Sequence, residues 1–164
     1  MMDTLAVADP EIATSFRAAM RRIASTVTIV TASDGSRRHG MTMTAVSSLS
    51  MDPPSMIVCV NQSSFLHDIL TSARHFCVNV LTHDQAEVST AFSGAASPEE
   101  RFGVGDWRRH FVGMDYLTTA QANVFCRKVA AVPFGTHTIF IGTADEVALN
   151  EDNRPLLYRN AAYF

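Results

Sequence analysis

From Gly40 to Pro54 the chain reads GMTMTAVSSLSMDPP, setting Thr42, Thr44, Ser48 and Ser50 on alternate residues ahead of a double proline. On an extended strand these four hydroxyls share one face, and Met41, Met43, Ala45 and Leu49 take the other. Small donors and acceptors in a row suit a planar polar ligand lying along the strand, with backbone and hydroxyl groups bonding its heteroatom edge. A solvated edge strand rich in threonine produces the same pattern.

A second set follows at once. Asn61, Ser63 and Ser64 stand where an apolar run ends and a helical spacing begins. Free backbone N–H groups and hydroxyls converge on an anion at such a junction, and they equally make an ordinary N-cap. Other chemistries are poorly supplied. The six histidines are scattered, with no H-E-x-x-H and no Cys/His quartet spacing, so a protein-bound metal is not expected. No G-x-S-x-G elbow is present, and the one G-x-G, Gly103-Val104-Gly105, has Arg108 where a dinucleotide fingerprint needs its third glycine.

The elements that must hold these residues can be read from periodicity. Ile12, Phe16, Met20 and Ile23 fall at helical spacing with Arg17, Arg21 and Arg22 off the stripe, which predicts a first helix from Pro10 that covers one side of a core. TVTIVTAS, residues 26–33, is a β-branched strand running into the turn pair Asp34-Gly35, so it and the hydroxyl ribbon form a hairpin. MIVCVN (56–61) and HFCVNVL (75–81) are strands, with a helix over 65–74 between them. Thr82 and Gln85 make a capping box for a helix stopped by Gly94. Residues 97–110 are a polar excursion anchored by the single Trp107, and 123–132 and 136–149 are two long strands joined around Pro133-Phe134-Gly135. The ending PLLYRNAAYF carries too many large apolar groups for a free tail. Helices inserted as blocks among six or seven strands favour a mainly β fold with flanking helices, an antiparallel barrel with helical flaps.

Bulk properties bound the rest. With 164 residues, 47% of them hydrophobic, the chain fits one domain, residues 10–164, behind a flexible N-terminus, 1–9. Thirteen Lys and Arg against sixteen Asp and Glu give a net charge of -3 without runs, which predicts neither nucleic acid nor a membrane surface as partner. The first dozen residues lack a signal-peptide pattern, and no stretch is long and apolar enough to cross a bilayer. Cys59, Cys77 and Cys126, each inside an apolar segment without C-x-x-C spacing, read as buried thiols of a cytoplasmic protein.

Several ordered motifs resemble one family. FRAAMRR (16–22), the Gly40–Pro54 ribbon, NQSS (61–64), FCVNVL (76–81), ERF (100–102), GTHTIFIG (135–142) and PLLY (155–158) are similar to those of the short-chain flavin reductases. That family includes the reductase components of two-component flavin-dependent monooxygenases. The resemblance implies an FMN-binding split barrel of Greek-key type, a homodimer, and reduction of FMN or FAD by NADH or NADPH for a separate monooxygenase. It also implies that Thr42, Thr44, Ala45, Val46, Ser47 and Ser48 line the flavin ring, that Asn61, Ser63 and Ser64 meet the ribityl phosphate, and that Ala91, Phe92 and Ser93 flank the other side. His137 would stand by the nicotinamide. Hydride transfer between two organic rings needs stacking and distance control rather than a strong protein acid or base. A flavin-binding or electron-transfer protein without turnover is the alternative on the same barrel, and a more distant one is an oxidase of the pyridoxamine phosphate type.

The chain departs from the family pattern at Thr136, where an Asp commonly precedes the histidine, at Ala161, where glycine is usual, and at Gly113-Met114-Asp115, where G-x-P is expected.

Overall fold

The computed structural model describes residues 9–151 and 154–164, so the expected flexible N-terminus, apart from Asp9, lies outside the described residues. Helix α1, Pro10–Met20, starts as its sequence prescribes. The Asp9 side chain accepts from the Glu11 N–H, and Pro10 occupies a first-turn position that needs no donor. Its apolar stripe does not cover the core: no residue of α1 is buried, and Ile12, Phe16, Met20 and Ile23 are exposed. Spacing reports an amphipathic face and not what lies against it, and the expectation is corrected here.

The β-branched run becomes β1 (Ser25–Thr26) and β2 (Thr28–Ser33), with Val27 between them in the core. β2 turns through Asp34 to Arg37 into β3 (Arg38–Met43), and Asp34 accepts from the N–H groups of Ser36 and Arg37. After β4 (Val46–Met51) and β5 (Pro54–Asn61) come α2 (Phe65–Ser72), β6 (His75–Val80) and α3 (Ala86–Thr90). α3 runs on into wide turns over Ala91–Ala95 that end in the left-handed Gly94. A small hairpin of β7 (Trp107–Arg109) and β8 (Asp115–Leu117) precedes the two long strands, β9 (Ala122–Phe134) and β10 (His137–Leu149). A terminal hairpin, β11 (Leu157–Arg159) and β12 (Ala162–Tyr163), pairs back onto β1.

Seven strands form one antiparallel sheet in the order β3-β2-β6-β9-β10-β5-β4. Its outermost members, β3 and β4, are consecutive in the chain and joined by Thr44 and Ala45 alone. A flat sheet of this size would hold its edges about 29 Å apart, whereas two linking residues reach about 10 Å. The sheet therefore curls until its edges approach, although no ladder joins β3 to β4 among the described residues.

The curl encloses a core on which α2 lays Leu66, Ile69 and Leu70 against Val30, Val58, Phe76 and Phe140. A second cluster holds Ile29, Leu81, Phe92, Leu117 and Leu156. Asn79, fully buried, pins strand register: its Nδ2 donates to the Ile29 carbonyl (2.8 Å), and its Oδ1 accepts from the Leu117 N–H and from Asn123 Nδ2 (both 2.9 Å). The capping box forms in half, with Gln85 Oε1 accepting from the Thr82 N–H (3.0 Å) while the Thr82 hydroxyl donates to Asp84. Trp107 is the expected anchor, its ring 4.8 Å from Phe92 and 5.3 Å from Phe102, its N–H donating to the Val104 carbonyl. Cys77 and Cys126 are buried free thiols and Cys59 is half-buried; burial pushes Cys126 up to about 12 and Cys77 well above the usual thiol range. Among the described residues no helix is long and apolar enough to cross a membrane.

Candidate functional site

The hydroxyl ribbon is two strands, and the break between them shapes the site. The Val46 N–H donates to the Thr44 carbonyl and the Cys59 N–H to the Ala45 carbonyl (both 2.9 Å), so the chain crosses from one sheet edge to the other within these two residues. The expected alternation of hydroxyls consequently does not run through. The Thr42 hydroxyl donates inward to the Ser89 carbonyl (2.6 Å), Ser47 donates to the Ser48 carbonyl (3.1 Å), and Ser50 braces the following turn by donating to the Asp52 carbonyl (3.0 Å).

Thr42 and Thr44 meet Ser93 around a pocket of about 270 Å³, whose remaining walls are Val27, Met43, Tyr158 and Tyr163. Tyr163 is tied to the same frame, its hydroxyl 2.8 Å from that of Ser89, and its ring lies 5.4 Å from Tyr158. The two tyrosines were not among the expected site residues. The apolar weight of the chain's ending signalled that it packs, but not onto what. Ser93 is exposed at the mouth with its hydroxyl donating to the Thr90 carbonyl (2.8 Å), whereas Ala91 and Phe92 are buried behind it. Phe92 lies so close to Gly40 that a Cβ there would come within 2.6 Å of the ring.

Val46 is half-buried and Ser47 and Ser48 are exposed on β4. As an outer strand, β4 turns alternate N–H and C=O groups away from β5, with no further strand among the described residues to take them. Hydroxyls and two tyrosine rings around one slot, with the edge of β4 continuing from Thr44 and Ala45, fit a flat heteroaromatic ring with a polar edge.

Asn61, Ser63 and Ser64 form a tight turn. Asn61 Oδ1 accepts from the N–H and the hydroxyl of Ser63 (2.9 and 2.8 Å); Ser64 caps α2 by accepting from the His67 N–H (3.2 Å) and donates to the Asn61 carbonyl (2.8 Å). The N–H groups of Phe65 and Leu66, in the first turn of α2, have no acceptor within the helix and point out of its N-terminus. His137 sits beside this turn, directly across the β5–β10 ladder from Asn61. Its Nδ1 is 2.9 Å from the Thr136 hydroxyl, and its carbonyl accepts from Gln62 Nε2 (3.1 Å). Ala45 lies opposite Cys59 on β5, which pairs with Ile139 on β10, so His137 stands two strand spacings across and two residues along from Ala45, about 12 Å away.

Behind Gly40 lies a buried pair that sequence reading missed. Arg101 donates to the Gly40 carbonyl (2.8 Å) and stands 3.2 Å from His39 Nε2. A guanidinium has only donors, so Nε2 accepts and the ring proton is on Nδ1, which has no partner. Burial and then the Arg101 charge lower His39 to about 4, and the ring is neutral. Nothing in their spacing, 62 residues apart, marked these two as neighbours.

A model of flavin reductase-like domains matches residues 20–164. The chain is 54% identical over 151 residues to the reductase component of the FADH2-dependent resorcinol hydroxylase of Rhizobium sp. (strain MTP-10005), covering 91% of this chain and 84% of that protein. It is 34% identical to an FMN reductase (NADH), RutF 1, of Methylorubrum extorquens, over 99% of this chain and 81% of the relative. The structure of the NADH:FAD oxidoreductase SgcE6 of Streptomyces globisporus C-1027, solved with NAD and FAD fragments, superposes with a TM-score of 0.87 at 26% identity, covering 97% of this chain and 95% of the other.

Proposed function

Because the chain belongs to the flavin reductase-like family, we propose that it oxidises NADH or NADPH to reduce FMN or FAD and supplies the reduced flavin to a separate monooxygenase component. The observation that carries the reading is the pocket at the sheet break, where Thr42, Thr44 and Ser93 converge with two tyrosine rings. When bound there, the flavin supplies the redox chemistry, taking a hydride from the nicotinamide.

The residues do the rest. Thr44, Ala45 and the free edge of β4 hold the heteroatom edge of the ring, Val46, Ser47 and Ser48 continue along it, and Ser93 limits the opposite side, backed by Ala91 and Phe92. The Asn61–Ser64 turn and the first N–H groups of α2 receive the ribityl phosphate. His137, on the neighbouring strand, orients the nicotinamide by donating a hydrogen bond to its carboxamide.

We read the curled sheet as the split barrel that the family resemblance implied, in one domain spanning residues 10–164. The bare stripe Ile12, Phe16, Met20 and Ile23 supports a homodimer, since an apolar face of this kind gains by meeting a second copy.

Steady-state oxidation of NADH and NADPH with added FMN or FAD tests the function: turnover with at least one pair is expected, and none with any pair defeats it. One observation favours a second reading, a flavin carrier without turnover: the His137 ring meets the Thr136 hydroxyl, at the position where the family commonly carries an Asp. Stoichiometric flavin with no nicotinamide oxidation would select that reading.

A further inference from the structure

β3 ends the seven-stranded sheet, so alternate residues turn their N–H and C=O groups outward, with no further strand among the described residues to take them. Two of its residues are met instead by the segment that follows α3. The Thr42 hydroxyl donates to the Ser89 carbonyl (2.6 Å), and the Gly40 carbonyl accepts from Arg101 Nη1 (2.8 Å). Between these two fastenings the chain makes the wide turns over Ala91–Ala95, bends back at the left-handed Gly94, and brings Ser93 to the slot it shares with Thr42 and Thr44.

The second fastening is a fork. Arg101 is only 6% exposed, and besides Gly40 it reaches back into its own segment: Nη2 donates to the Ala96 carbonyl (3.1 Å) and Nε to the Ser97 carbonyl (3.4 Å), while Nη1 also stands 3.2 Å from His39 Nε2. Carbonyls on both sides of this junction have no donor to offer each other, and a planar group with five N–H donors joins them. Arg101 makes no ion pair among the described residues. Burying a guanidinium against neutral acceptors costs desolvation that an apolar side chain of similar volume would avoid, so what the arginine adds is the placement of three carbonyls.

Phe92 is held between the same two parts. A Cβ on Gly40 would come within 2.6 Å of its ring, and the Arg101 guanidinium carbon lies 5.8 Å from the ring centroid. Ser93 is therefore set by packing beneath it and by the hydrogen bonds of Arg101 beyond it, although Arg101 does not itself line the slot.

We propose that Arg101 is a positioning residue for the flavin: its fork holds the return over Ala96 and Ser97 on the open edge of β3, and thereby fixes the width of the slot between Ser93 and the two threonines before the ring arrives. The inference rests on the flavin reductase reading. A slot already at its bound width spares the ligand the cost of ordering it.

Fluorescence titration of the full chain with FMN and with riboflavin, which lacks the phosphate, tests this in the parent, Arg101→Gln, Arg101→Lys and Gly142→Ala. Gly142 packs on Phe76 and Cys126, away from the slot, and its variant controls for lost stability. Arg101→Gln is expected to weaken both ligands by the same factor, about 10- to 100-fold, with Arg101→Lys between and Gly142→Ala within about twofold of the parent. In flavin-free Arg101→Lys, amide exchange over residues 91–97 should be at least about tenfold faster than in the parent, which carries the test if Arg101→Gln does not fold. Parental affinity in a folded Arg101→Gln overturns the proposal, as does parental exchange in Arg101→Lys. An equal loss in Gly142→Ala would make Arg101 a contributor to stability alone, and a loss for FMN without one for riboflavin would move its effect to the phosphate; each overturns the proposal. A parent protein that binds neither FMN nor FAD would instead defeat the flavin reductase reading, while the exchange rates still report whether Arg101 holds the turn.

Discussion

His137 faces Asn61 across the β5–β10 ladder, which brings a ring that can donate hydrogen bonds to the turn that opens α2. If His137 orients the nicotinamide, His137→Ala lowers kcat about 10- to 100-fold while flavin affinity changes by less than about threefold. Stopped-flow oxidation of NADH together with flavin titration separates the two effects. Equal losses in both would make the histidine part of the phosphate site.

The slot and the outer strand can be told apart. Ser93→Leu fills the mouth of the pocket lined by Thr42 and Thr44, and Ser48→Leu puts bulk on the exposed face of β4. Both positions are exposed, so the melting temperatures of the variants should stay within a few degrees of the parent. Both should weaken FMN binding at least tenfold. A Ser48→Leu protein with parental affinity would move the ring off β4 and leave it between Ser93 and the tyrosines.

Gly142 lies against Phe76 and Cys126, where an added Cβ would come within 2.6 and 2.8 Å of their atoms. Gly142→Ala should cost about 1–3 kcal/mol by overpacking, read from the urea midpoint. Gly40→Ala meets Phe92 in the same way, and because Phe92 underlies Ser93 this variant should also lose flavin affinity.

Acid should loosen the fold through His39, whose folded-state value is lowered to about 4. In the unfolded chain the ring titrates near 6.5, so from about 6.5 down to about 4 the unfolded state gains a proton that the folded state refuses. Stability is thus fully present above about 6.5 and falls as pH drops, by roughly 2 kcal/mol at pH 5 from this residue. Urea unfolding at pH 7.5 and pH 5 should show a smaller difference in His39→Gln than in the parent; identical differences would remove His39 as the cause.

If a second copy covers the α1 stripe as proposed, Phe16, exposed on α1, should carry much of the contact. Light scattering is expected to give twice the chain mass for the parent and a shift towards the monomer for Phe16→Asp. A monomeric parent would leave the stripe to another partner.

Sequence reading found the long strands, the Asp34-Gly35 hairpin, the Trp107 anchor and the helix at Ser64 because each is written locally, in β-branched runs, turn pairs and capping residues. It also named Thr42, Thr44 and Ser93, three residues that share a pocket. What it could not read was long-range. Alternation along residues 40–50 gives no sign that the chain changes sheet edges at Thr44, because the break is imposed by curvature of the whole sheet. A helical stripe looks the same whether it meets a core or a second copy. Tyr158, Tyr163 and the His39–Arg101 pair come together only through tertiary folding.

If the flavin binds as proposed, the two-residue crossing at Thr44 and Ala45 makes its site and the seam one place. A flavin lodged there would act as a fastener between margins that no hydrogen-bonded ladder stitches. Hydrogen exchange along β3 and β4 should then slow on binding more than exchange in the central strands, with the cofactor closing what the polypeptide leaves ajar.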